Sequence, residues 1–331
     1  FCTMAIKKLL LAENSNNIFR MKRNVENLNA IINSGHIGDL IRYTEALQEK
    51  QLARIAEDIA SRPMVRVVLL AGPSSSGKTS TSKRLSVQLM TCMKLPVALS
   101  MDNWFVNRDE TPLDEFGEKD FESIYAVDLH QFNKDIRDLI SGKKVKLPTY
   151  NFHTGKREYR GKAMKLNSDA ILIIEGIHAL NPMLTKELPE EAKYRIFAAP
   201  IRQIGIGDNE QVSSEENRLI RRITRDSQTR NRTAQETIAS WPSVRRGEEK
   251  WILPFRCYAD SIFDTSMEYE LSAIKDKAEP LLKAVPKDCP EFETSNRLLG
   301  YLEKFIAITD NEIPRTSLLR EFIGGSIFDV G

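Results

Sequence analysis

The chain is 331 residues long, enough for about two domains and a core that needs no disulfide or metal staples. Its 48 Lys and Arg against 46 Asp and Glu leave a net charge of +2, too little for a whole-chain field that would wrap nucleic acid or coat an anionic membrane, so any basic site is local. With 41% hydrophobic and 28% charged residues, and apolar runs no longer than those at 67–71 and 170–174, the composition excludes disordered, collagenous, coiled-coil and helical membrane-spanning classes. Cys2, Cys92, Cys257 and Cys289 lack C-x-x-C spacing, which predicts reduced thiols in a cytoplasmic protein. The first residue, Phe1, is the start expected of a trimmed chain, and the opening FCTMAIKKLLLA lacks the organisation of a secretory signal.

Residues 1–62 read as a helical N-terminal segment. Within 38–60, Leu40, Ile41, Leu47, Leu52, Ile55, Ala56 and Ile59 recur at near-helical spacing, and Pro63 ends the pattern. A strand at 64–71, a glycine-serine turn, a helix from 78 to about 93 and a strand at 96–101 make a strand-helix-strand unit. An insert, 103–167, follows; it holds a helix at 129–140 and an extended stretch, 143–159, turning at Thr154-Gly155. Inserts of this kind carry substrate contacts. The runs 170–174, 194–198 and 261–264 read as further strands, a polar segment follows Pro200, a basic helix covers 215 to about 232, and a helical tail, 286–331, ends in Gly324-Gly325. The alternation predicts an α/β fold: a doubly wound parallel sheet with helices on both faces.

The glycine-serine turn carries the most specific pattern. Gly72-Pro73-Ser74-Ser75-Ser76-Gly77-Lys78-Thr79 fits G-x-x-x-x-G-K-[ST] between a strand and a helix, and Ser80 continues it. Glycines let backbone N–H groups curl round phosphate oxygens at a helix N-terminus, Lys78 reaches the β- and γ-phosphates, and the Thr79 hydroxyl suits Mg²⁺. This assigns 63–285 to a P-loop NTPase-type domain with the insert 103–167 and a lid, 204–235.

Glu175 ends an apolar run at the carboxyl edge of a strand, where it suits Mg²⁺ or its waters, or caps the next turn. Asp102 holds the same place after the second strand and suits a base for an attacking hydroxyl, an N-cap or a second metal ligand. Arg218, Arg221, Arg222 and Arg225 share a helical face followed by Arg230 and Arg232, a solvated charge run or an arginine-bearing lid. His130, His153 and His178 are too scattered for a metal set. Trp104, Phe105, Tyr150 and Phe152 suit either stacking on a planar substrate or packing. The N-K-x-D reader of GTPases and the ABC signature are absent from the sequence.

In this order GPSSSGKTS, LSMDNWF (99–105), LPTYNF (147–152), ILIIEGI (171–177) and RLIRRITRD (218–226) resemble the uridine kinase and phosphoribulokinase family over about 65–282. WPSVRRGEEKWILPF (241–255) and the REFIGGS ending look like a bacterial uridine-kinase-like subgroup. Longer members of that subgroup carry an N-terminal region related to threonyl-tRNA synthetase, which the resemblance implies this chain lacks.

The resemblance implies an ATP- and Mg²⁺-dependent kinase that phosphorylates a primary hydroxyl of a uridine- or cytidine-like nucleoside. Asp102 would be the general base, Asp120 would hold ribose hydroxyls, and Tyr150 and Phe152 would line the nucleoside pocket. Arg225 would act at the transition state, with Arg222 and Arg230 on the nucleotide and Arg232 on the substrate. Uridine kinases proper have a base-reading histidine where this chain has Gly155, and 204–217 lacks the acidic-acidic-histidine run of the subgroup. Two other readings remain: a phosphoribulokinase-like sugar-phosphate kinase using Lys143, Lys144, Lys156 and Arg157, and a nucleotide-gated regulatory or RNA-linked protein. A small-molecule substrate is the expected partner; no membrane and no nucleic acid are expected, and homo-oligomerisation is left open.

Overall fold

The computed structural model describes residues 23–207 and 209–330; the opening segment and Cys2 lie outside them. In chain order the first elements are helices α1 (Val25–Asn33) and α2 (Ile37–Ser61), strand β1 (Val67–Ala71), helix α3 (Lys78–Thr91) and strand β2 (Leu95–Ser100). Then come helix α4 (Leu129–Ile140), strands β3 (Thr149–Asn151), β4 (Lys156–Glu158), β5 (Ala170–Glu175) and β6 (Lys193–Ala199), and the short strands β7 (Ile204–Gly207) and β8 (Glu210–Val212). Helices α5 (Ser214–Thr229) and α6 (Ala234–Trp251), strand β9 (Ser261–Asp264), and helices α7 (Glu270–Lys283), α8 (Phe292–Glu303) and α9 (Arg320–Ile323) complete the order. The described residues fall into two compact units. No helix among them is long and apolar enough to cross a membrane.

One unit takes 49–199, 239–265 and the described residues of 328–331 and holds a five-stranded sheet in the order β2-β5-β1-β6-β9, parallel throughout, as the alternation of strands and helices predicts. β1 is buried along its whole length because it lies at the centre, so it reads as one apolar run rather than an alternating one. Odd-numbered residues of β1 (Val67, Leu69, Ala71) join Leu172, Ile174 and Phe197 in a core with Phe132, Ile136 and Leu139 of α4, while α3 packs on β2 and β5. Helices thus flank the sheet. Trp104 belongs to this core: it is fully buried, meets Phe132 edge-on and donates its indole N–H to Asp135 at 2.9 Å. That engagement removes it from the aromatics free to stack on a substrate.

The other unit takes the described residues of 1–48, 200–238 and 266–327. Helices α5, α7, α8 and α9 pack together around Leu219, Ile220, Ile223, Ile274, Leu298 and Phe322. The polar stretch after Pro200, which carries no strand pattern, forms the antiparallel hairpin β7–β8. Strands of three or four residues with Gly205 and Gly207 in them show no alternation to read.

Candidate active site

Residues 72–79 connect β1 to α3. Gly72 has no room for a side chain: a Cβ there would lie 2.0 Å from the carbonyl oxygen of Ala198 on the neighbouring strand β6. Gly77 takes φ +84° as the N-cap of α3, a left-handed conformation that glycine adopts without steric cost. Ser75 is also left-handed, at φ +57°. The loop therefore turns back over the helix N-terminus, where the dipole and unsatisfied amides favour an anion. Ser76 Oγ is buried with no protein partner among the described residues. Lys78 Nζ donates to the carbonyl of Pro73 at 3.0 Å, so the amine lies across the loop that precedes it. The Thr79 side chain follows on the first turn of α3 and Ser80 is buried beside it. A tight loop of this form, with a lysine folded over it, fits the phosphates of a nucleotide and an Mg²⁺ bound to them.

The sheet order brings the carboxylates to the same edge. β5 lies between β1 and β2, with Glu175 in register with both Leu70 and Ser100. Asp102 sits two residues beyond Ser100, in a short 3-10 turn (Met101–Trp104), and donates its backbone N–H to the Ser100 hydroxyl at 3.4 Å. Gly176, directly after Glu175, allows this turn to approach: a Cβ there would lie 2.7 Å from the Cβ of Met101. Three adjacent parallel strands thus end in the phosphate loop, Glu175 and Asp102, the edge at which open α/β sheets bind ligands.

The insert supplies the aromatic residues. Tyr150 on β3 donates its backbone N–H to Asn103 Oδ1 at 3.4 Å, which ties the β3–β4 hairpin to the residue after Asp102. Phe105, Tyr150 and Phe152 meet edge-to-face in sequence, at 5.6 and 5.1 Å between centroids. Tyr150 is buried, which raises its phenol pKa, while Phe152 is exposed. Asp120 accepts the Glu122 N–H at 3.1 Å and donates its own to Pro112, so its carboxylate shapes a turn of the insert. Gly155 takes φ +67° at the hairpin tip, and the side chain of Arg108 fills the space beside it; a Cβ would lie 2.7 Å from Arg108 Cβ. Arg108 also donates to the Phe152 carbonyl at 2.6 Å. Of the cations that a sugar-phosphate acceptor would use, Lys143 is paired with Asp138 and Arg157 with Asp128, each at 2.8 Å.

The arginines lie in the other unit, where Arg222, Arg225 and Arg230 surround the fully buried carboxylate of Asp226 at 3.4, 2.8 and 3.6 Å. Burial would raise the Asp226 pKa, but the guanidinium groups of Arg225, Arg230 and Arg222 outweigh it and hold the carboxyl below its ordinary range. Arg232 donates its backbone N–H to the Asp226 carbonyl and its side chain to the Glu236 carbonyl. Arg221, on the same helical face by spacing, is fully buried, pairs with Glu270 and lies 4.9 Å from the Phe322 ring centre. It serves packing.

Three residues at this edge escape sequence reasoning. Arg108 lies in no motif, Glu248 lies in the 241–255 motif without an assigned role, and His178 reads as a lone histidine. Glu248, on α6, accepts the Ser74 N–H at 3.2 Å. His178, fully buried beyond β5, faces the backbone of Ser123, Trp251 and Glu122, and burial pushes its pKa down to about 4. The 241–255 motif that contains Glu248 and Trp251 was the one available signal.

The chain is similar to several known proteins. The curated uridine kinase of Macrococcus caseolyticus (strain JCSC5402) is 28% identical over 198 residues, 59% of this chain and 86% of that protein. That of Ligilactobacillus salivarius (strain UCC118) is 26% identical over 209 residues, covering 62% and 88%. Among solved structures, the YGR205w protein aligns with a TM-score of 0.42 at 16% identity, covering 65% of this chain and 88% of that one. The profile of the Phosphoribulokinase / Uridine kinase family matches residues 67–272. From the phosphate loop at β1 to the start of α7, therefore, the chain belongs to the Phosphoribulokinase / Uridine kinase family of kinases.

Proposed function

We propose that the protein transfers the γ-phosphoryl group of ATP to a primary hydroxyl of a uridine- or cytidine-like nucleoside. The observation that carries this reading is the convergence of the 72–79 loop, Glu175 and Asp102 at the ends of three adjacent strands. The curated relatives named uridine kinase support the acceptor class. Two of the four cations that a sugar-phosphate acceptor would use, Lys143 and Arg157, are already paired with acidic neighbours.

In this mechanism Mg-ATP supplies the phosphoryl group and the metal charge that offsets its oxygens. The amides of 77–80 and the Lys78 ammonium hold the phosphates, the amine exchanging its bond to the Pro73 carbonyl for phosphate oxygens. Thr79 and Glu175 are the proposed metal partners. Asp102 orients the acceptor hydroxyl and accepts its proton as the oxygen attacks, while Tyr150 and Phe152 flank the nucleoside and Asp120 shapes the adjoining turn. Catalysis is then mostly positioning and electrostatics, because phosphoryl transfer asks little covalent chemistry of the protein.

The test is ADP release from Mg-ATP with a panel of nucleosides and sugar phosphates. Uridine or cytidine should stimulate it. Lys78→Ala should cut turnover by roughly two to three orders of magnitude, as loss of a transition-state charge partner does. Asp102→Asn should lower turnover by roughly two orders of magnitude or more while sparing Mg-ADP binding. Stimulation by a sugar phosphate alone would overturn the acceptor, and wild-type turnover by Asp102→Asn would overturn the base.

A further inference from the structure

We propose that Glu248 is a positioning residue for the phosphate loop, and that the C-terminal turns of α6 brace this loop and the substrate insert together. The proposal rests on reading 72–79 as the nucleotide site. It gives a role to the 241–255 motif, to which the kinase mechanism assigns none.

Glu248 has no solvent exposure, and its Oε1 accepts the backbone N–H of Ser74 at 3.2 Å. Arg245, one turn earlier, donates to Oε2 of the same carboxylate at 2.9 Å. A buried carboxylate is tolerated only when its charge is paired and its lone pairs are used, and here one oxygen meets the guanidinium and the other meets the loop. With no exposure, the carboxylate is enclosed by protein where it meets the loop.

The loop has a reason to be braced. Ser75, next after Ser74, is left-handed at φ +57°, a conformation that is sterically costly for a non-glycine residue. Such a conformation persists only where its surroundings over-determine it. The bond from Ser74 to Glu248 is one restraint, anchoring the peptide unit that leads into the strained residue.

The residues beside Glu248 fasten the same helix to the insert. Gly247 lets α6 come so close to Glu122 that a Cβ there would lie 2.1 Å from Glu122 Cβ. Trp251 meets Tyr125 edge-on at 5.9 Å between centroids. Arg246 reaches Asp114 at 3.3 Å and lies 4.8 Å from the Phe116 ring centre. One short run of helix therefore grips the loop with one residue and the insert with three others.

The experiment separates reach from charge in the whole 331-residue chain, by calorimetric titration with Mg-ADP and by a split of KM for ATP from kcat. Glu248→Gln keeps an acceptor oxygen at the same reach and should bind Mg-ADP close to wild type. Glu248→Asp keeps the charge but is one methylene too short for Ser74, and should raise the Kd for Mg-ADP and the KM for ATP about tenfold, with kcat changing less. Wild-type affinity in Glu248→Asp, or an equal loss in Glu248→Gln, would overturn the proposal. A measurement without any variant guards against misfolding: the Ser74 amide should exchange slowly with deuterium in the nucleotide-free protein, and free exchange would overturn the bond itself. Wild-type protein that binds no Mg-ADP would overturn the nucleotide-site reading and the proposal with it, an outcome distinct from a loss confined to the variants.

Discussion

At the scale of single residues, the clearest lesson is the difference between a charge read from spacing and a charge seen with its partner. The RLIRRITRD run shows a cationic helix face, but not that Arg222, Arg225 and Arg230 share one fully buried carboxylate, Asp226. Asp226→Asn would leave three guanidinium groups without their common counter-charge. We expect it to cost about 3–5 kcal/mol in urea denaturation, the range for removing one partner of a buried ion pair. Because the folded pKa of Asp226 is lowered, its contribution is fully present above the unfolded carboxylate range and is lost as pH falls through the folded value. The Asp226→Asn variant should therefore lose less stability than wild type on acidification below about pH 4. Glu248 follows the same rule: it lies in the 241–255 motif, to which sequence reasoning assigns no chemistry, and only its buried bond to the Ser74 N–H ties it to the loop.

At the scale of elements, the phosphate loop works because two strands and a helix hold it from different sides. Gly72 sits against β6, with the Ala198 carbonyl where a Cβ would have to go. That neighbour is backbone in a parallel ladder and cannot move aside cheaply. Gly72→Ala should displace the loop, weaken Mg-ADP binding about tenfold or more by titration, and destabilise the fold by about 1–3 kcal/mol as overpacking does. The elements that seat the site were legible: β1, α3, β2, α4 and β5 all lie within a few residues of their expected positions, because buried parallel strands and amphipathic helices write their periods plainly. Short hairpins do not. β7–β8 carries no alternation, and β3–β4 was visible only as an extended stretch with a turn.

At the scale of the whole molecule, stability and acid response hang on groups that the fold has buried. His178 is held neutral by burial, with a pKa of about 4 against an unfolded value of about 6.5. The unfolded chain therefore takes up this proton first, and stability falls as pH drops from about 6.5 to 4, by about 3 kcal/mol in all from this group. His178→Asn or His178→Gln, where it folds, should flatten that part of a pH series of denaturation midpoints. The sequence by itself determined the α/β class, the phosphate loop, the strand-end carboxylates and the family, because these depend on local periods and on residue types at fixed spacing. Tertiary structure alone decided that Glu175 lies between the loop and Asp102, that Trp104 is core, that Arg108 stands beside Gly155, and that Glu248 reaches Ser74. Each of these depends on strand order or on contacts between residues far apart in the chain, and no local pattern encodes such contacts.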